Sequence, residues 1–231
     1  MSQQSNLTQD SLIPAQPIPA GAEAFSRRVH GLLDGRPKDD ATVSKALDGM
    51  DEMLDVIAAA LYSLASMLVG EGEDSIRLVE TAVATTEVSA CDDALHARKS
   101  SRRALCAAAI EILAQRDAGS LAAPANVEPA VGCIDDDDLS GAGISTDEFN
   151  SMLSGPNRDR VREWLTGLAT EVRVVFALRA VAGFTAGETA ALLAGHGGAS
   201  ASGWTPDAVR VIFRQGLCSL ASQLIHSAVS R

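Results

Sequence analysis

Arg210 and Arg214 stand four residues apart. On a helix that spacing puts both guanidinium groups on one face. A guanidinium can grip guanine or a phosphate through two parallel hydrogen bonds. Asp207 and Val211 fall beside them, Thr205 is placed to cap the helix, and Pro206 suits its first turn. Val209, Phe213 and Leu217 occupy another face. The pattern predicts a helix packed on one side that presents two cations on the other. A second basic group, Arg98, Lys99, Arg102 and Arg103, has helical spacing and suits the holding of phosphates.

The other reactive residue types carry no comparable pattern. His30, His96, His196 and His226 are scattered, with no Ser, Asp or Cys at motif spacing. The Gly-rich stretch Gly195–Gly203 follows no strand and lacks the lysine of a phosphate loop. The acidic run Asp135–Asp138 lacks the spacing and the glycine of a calcium loop, so it reads as a solvated spacer. Cys91, Cys106, Cys133 and Cys218 form no CxxC pair and have no zinc-site histidine nearby, so all four are expected as free thiols in a reducing compartment. The chain is therefore expected not to be an enzyme and to need no cofactor, metal or small-molecule substrate.

The elements that would position these arginines are helices. Of 231 residues, 46% are apolar but only 3% aromatic. Such a core is built from Ala, Leu and Val, which suits closely packed helices. The net charge is −11, which by itself argues against coating nucleic acid. The distribution is uneven: from Arg158 to Arg231 eight arginines face five acids, a surplus of three positive charges, so the remainder carries −14. Residues 1–39 read as a disordered polar tail with no leader sequence. The longest apolar stretch, Val56 to Val69, is too short to cross a bilayer, and a cytoplasmic location without membrane partners is expected.

An all-α fold in two helical domains is predicted. The first domain spans 40–116. Its opening helix carries an apolar seam at Val43, Leu47, Met50, Leu54, Ile57, Leu61, Leu64 and Leu68, suited to a bundle or a short coiled coil. A second helix is expected over Glu73–Val88 and a third over about Asp92–Arg116, basic in its first half and buried in its second. Residues 117–155 read as an acidic flexible linker. The second domain, 156–231, is expected to hold a helix through Val161, Trp164, Leu165 and Leu168, then one over Glu171–Ala182. Thr185 and Glu188 form a capping box for a short helix over Ala186–Ala194, and Thr205 and Pro206 open the last helix. Trp164 is expected in the core and Trp204 as a plug beneath the turn.

A short capped helix, a turn and a longer capped helix make the helix-turn-helix order. The stretches Leu168–Arg179, Gly183–Leu193 and Gly203–Leu217 resemble region 4 of bacterial extracytoplasmic-function (ECF) sigma factors of the sigma-70 family. The resemblance covers the capping box, the paired leucines Leu192 and Leu193, and the Thr–Val–Arg opening of the last helix. About eight residues near His196–Ser202 are inserted where that family has a tight turn. Leu61–Ala65 resembles the first helix of region 2, and the helix with Asp74, Arg77, Leu78 and Glu80 stands where the family contacts the polymerase clamp. Arg77 and Thr81 replace acidic positions there, and Ser100, Ser101 and Ala104 stand where promoter-melting aromatics belong. The resemblance implies core RNA polymerase and promoter DNA as partners, with an anti-sigma factor as a possible regulator. One alternative is a degenerate sigma-like module that binds an anti-sigma factor or the polymerase without opening promoters. Another is a helical DNA-binding repressor or adaptor unrelated to polymerase.

Overall fold

The computed structural model describes residues 58–86, 94–125, 138–156 and 158–229, and among these every regular element is helical. α1 covers residues 58–69, α2 Glu73–Thr85 and α3 Ala94–Arg116. Next come a 3-10 turn, Leu139–Ala142, and then α4, Thr146–Ser154, α5, Arg158–Gly167, and α6, Thr170–Phe176. α7 is Ala186–His196 and α8 is Pro206–Val229. The all-α expectation therefore holds for the described residues. The start of the apolar seam, Val43 to Ile57, lies outside them, as do the N-terminal tail and residues 126–137.

Aliphatic burial organises the first three helices. Leu61, Leu64 and Leu68 continue the seam and are buried with Leu78, Leu105, Ile110 and Leu113. Each such side chain removed from water contributes about 1.5–3 kcal/mol. Arg116 fastens the end of α3 to the α1–α2 turn: it donates to the Val69 carbonyl at 3.1 Å and pairs with Asp74.

Rings organise the later helices. Phe176 meets Phe149 at 5.7 Å and Trp164 at 5.1 Å, both edge to face, and Phe213 at 5.4 Å. Trp164 is half-buried and donates to Ser219 Oγ at 2.9 Å. α8 approaches α6 so closely that a Cβ on Gly216 would lie 2.6 Å from Phe176 Cδ2. α6 widens into a π turn over Ala177–Val181, closed by Ala182 N–H donating to the Ala177 carbonyl at 2.9 Å. Arg179 then donates to the Phe184 carbonyl at 3.0 Å and lies 5.1 Å from the centre of the Phe213 ring. This guanidinium fixes the turn before α7 to α8.

The segment expected as a flexible linker is folded where it is described. Ser145 and Glu148 form a full capping box that starts α4, and Phe149 anchors that helix with no exposed surface. Asp138, the described member of the acidic run, caps the 3-10 turn by accepting from Ser140 N–H at 2.7 Å. Those hydrogen bonds hold its carboxyl below the ordinary carboxylate range. Composition suggested a spacer because Gly, Ser and Asp dominate, but the same residues are cap formers.

All described residues belong to one compact unit, and the two helical groups share a continuous core. α3 packs along α7, with Lys99 Nζ 2.7 Å from Glu188 Oε1 and Glu111 Oε1 2.7 Å from His196 Nδ1. Arg162 on α5 pairs with Glu71 in the α1–α2 turn. The inserted stretch forms a 3-10 turn, Ala199–Ala201, that grips residues 118–123. Ser200 Oγ donates to the Ala118 carbonyl at 2.7 Å, and Ala123 N–H donates to the Ser200 carbonyl at 3.0 Å. Gly197 permits the tight fold of this arm, since a Cβ there would meet Ala201 Cβ at 2.6 Å. Trp204 is buried, as expected for a plug, and its indole N–H donates to the Leu121 carbonyl at 2.9 Å.

One expectation is overturned. Cys218 on α8 is disulfide-bonded, so the four cysteines are not all free thiols. Cys91 and Cys133 lie outside the described residues. Sequence spacing could not find this bond, because disulfide pairing follows distance in space. Cys106 is a free thiol, and burial pushes it up to about 12 against the pull of nearby Arg102. It behaves as a small core residue.

Candidate nucleic-acid interface

α8 forms as its sequence dictates. Thr205 Oγ1 accepts from Ala208 N–H at 3.2 Å, which satisfies one free donor at the helix start. Ala208, Val209, Ile212, Phe213, Leu217 and Leu220 turn inward. Asp207, Arg210, Val211 and Arg214 follow the i, i+3, i+4, i+7 rule and share the opposite side. Asp207 is exposed, and Arg210, Val211 and Arg214 are partly exposed. The four residues expected at base edges are therefore brought together, behind the Thr205 cap.

Their charges are partly engaged. Arg210 pairs with Asp207, three residues before it. An exposed pair of this kind is worth little, so a phosphate can displace the carboxylate. Arg214 is more recessed: its Nε is buried without a hydrogen-bond partner. Desolvating that N–H costs free energy unless a ligand or water meets it.

α7 begins at the expected capping box. Glu188 N–H donates to Thr185 Oγ1 at 3.2 Å, and Thr185 N–H donates to Glu188 Oε2 at 2.9 Å. The other oxygen of Glu188 takes Lys99. The hydrogen bond from Lys99 and that from the Thr185 backbone hold this carboxyl down at about 2.

Lys99 is thus tied to α7, while Arg98, Arg102 and Arg103 have no carboxylate partner among the described residues. Arg98 and Arg103 are exposed. Arg102 is half-buried, and burial followed by the charge of Arg98 makes it less basic than usual. Arg103 also lines a cleft of about 430 Å³ between α2, α3 and α7. No Phe, Tyr or Trp lies on α3.

The α2 group disperses. Leu78 is 2% exposed and belongs to the core, so it cannot meet a partner. The heptad-like spacing of Leu78 and Val79 with Ser75 and Ala82 explains this, since all four point inward. Asp74 is engaged with Arg116, and Arg77 pairs with Glu73 on the surface. Arg77 and Glu80 remain outward.

Sequence reading missed three participants: the Lys99 tie to Glu188, the arm of Ser200 and Trp204 on residues 118–123, and the cleft residues Thr85, Thr86 and Ser100. It also missed α4, although that helix had left a legible signal, the Ser145–Glu148 capping box before Phe149. Among the described residues no group of His, Cys, Asp and Glu could hold a metal ion, and no helix is long and apolar enough to cross a membrane. No protein-family model, curated protein or solved structure matches this chain.

Proposed function

We propose that this protein is a DNA-binding transcription regulator of ECF sigma-factor type, which uses α7 and α8 as a helix-turn-helix on promoter DNA and takes core RNA polymerase as its protein partner. The observation that carries this reading is the outward side of α8, where Arg210 and Arg214 flank Val211 behind a capped helix start. Such a helix enters the major groove with its first turns at base edges. Arg98, Arg102 and Arg103, which have no carboxylate partner among the described residues, add a second patch suited to phosphates. A cytoplasmic site of action goes with a DNA target, whereas the Cys218 disulfide counts against a reducing compartment.

Fluorescence anisotropy on duplex DNA tests the groove role. R210A/R214A should weaken binding at least about tenfold and reduce the slope of log K against log salt by up to about 2. Unchanged affinity in a folded variant removes the role.

A second reading is a sigma-like module that binds protein, either the polymerase or an anti-sigma factor, and opens no promoter. The lack of aromatics on α3 favours it, because stacking on flipped bases needs rings. Pull-down of core polymerase followed by run-off transcription separates the two. Capture with transcripts supports the first reading, and capture without them supports the second.

A further inference from the structure

The cleft between α2, α3 and α7 has a donor and acceptor pattern of its own. Its volume, about 430 Å³, falls in the range of small-molecule sites. Two groups from α3 can donate into it. Arg103 has no carboxylate partner, and the half-buried Ser100 hydroxyl has no hydrogen bond among the described residues. Two groups at the end of α2 can only accept. Thr85 Oγ1 already donates to the Thr81 carbonyl at 2.7 Å, and Thr86 Oγ1 to the Ala82 carbonyl at 2.5 Å. Their lone pairs remain for an N–H or O–H brought by a ligand. Ala104, Ala107 and Leu192 supply an apolar floor, and His196, paired with Glu111, completes the lining.

Charge makes the donor end selective for anions. Arg98, Arg102 and Arg103 stand within two turns of one helix, with no carboxylate partner among the described residues, in a chain of net charge −11. Acidic side chains are plentiful, yet none is placed against them among the described residues. Neighbouring cations repel one another, and an oxyanion would relieve that repulsion.

We propose that this cleft binds a small phosphorylated ligand of nucleoside-monophosphate size. Arg103 and Ser100 hold the phosphate, Thr85 and Thr86 accept from hydroxyl or amino donors of the ligand, and the apolar floor carries its ring. No α8 residue lines the cleft, and the site does not depend on that helix reading DNA. Because α7 supplies Leu192, a bound ligand also ties α7 to α2 and α3.

The test is isothermal titration of the full chain, at low salt, with the ribonucleoside monophosphates and with inorganic phosphate. At least one nucleotide should bind about tenfold more tightly than phosphate. R103A should weaken it by about tenfold or more, and S100A by less. A107F, which places a ring on the floor at a half-buried position, should remove nucleotide binding while leaving the melting temperature in place. R210A/R214A should leave nucleotide binding unchanged even where it abolishes duplex binding. Absence of binding by every nucleotide overturns the proposal, as does inorganic phosphate binding equally well. Affinity that survives both R103A and A107F overturns it too. A duplex that displaces the nucleotide equally from the native chain and from R210A/R214A reassigns the cleft to a nucleic-acid backbone and overturns a free ligand.

Discussion

The first three helices and the last four distribute their paired arginines differently. In the later helices several are engaged. Arg179 clamps Phe184 and Phe213, Arg162 pairs with Glu71, and Arg210 with Asp207. On α3, within the acidic part of the chain, Arg116 pairs with Asp74, but Arg98, Arg102 and Arg103 have no carboxylate partner among the described residues. Part of the surplus of positive charge read from the sequence is therefore already engaged, although Arg214 keeps a buried Nε without a hydrogen-bond partner. Among the described residues, a cluster of cations without carboxylates sits where the totals are negative. Net charge by segment describes a region's composition, and pairing decides which cations can serve a ligand.

The two groups differ in core chemistry as well. Leucines and alanines fill the first, and a cluster of rings fills the second. Replacing Phe176 by Ala should cost about 3–5 kcal/mol, since it is fully buried among Phe149, Trp164 and Phe213. Urea denaturation followed by far- and near-UV circular dichroism shows how far that loss spreads. One shifted transition means that the two groups unfold as a unit, and two separated steps mean that they are independently stable.

Trp204→Phe keeps the ring but removes the donor to the Leu121 carbonyl. A loss of about 1–3 kcal/mol is expected, with faster proteolysis within residues 117–125. Unchanged proteolysis would show that the contact does not hold the two groups together. Thr185→Ala should cost about 1 kcal/mol through the lost cap of α7. Glu188 is linked to it. Its carboxyl lies at about 2 when folded against an ordinary 4.5. A depressed carboxyl stabilises the fold above the unfolded value, so that contribution disappears as pH falls from about 4.5 towards 2. E188Q should therefore flatten the acid side of the stability profile, and a profile with the native slope would remove Lys99 as its partner.

Local signals were legible. The capping box of α7, the start of α8 and the inward side of α8 all follow from short-range spacing, which the backbone obeys directly. The outward group Thr205, Asp207, Arg210, Val211 and Arg214 came with them. Leu78 was misplaced because a family position suggested an exposed contact, whereas the packing of α2 on α3 turned it inward. α4 was missed although Ser145 and Glu148 announce it, because the surrounding Gly and Asp residues suggested a spacer. Contacts across long separations, such as Cys218 in its disulfide, Lys99 with Glu188 or Ser200 with Ala118, leave no periodic trace. Proximity in space creates them after the helices have formed.

The arm that begins at Gly195 also sets an order of events. Ser200 and Trp204 reach partners 82 and 83 positions earlier in the chain. Closing so long a loop carries an entropic cost, and folding slows as contacts become more remote. During synthesis the α3 side of this seam emerges well before the arm that covers it. Until residue 204 has left the ribosome, the Leu121 carbonyl has no indole to meet, and water must serve it instead.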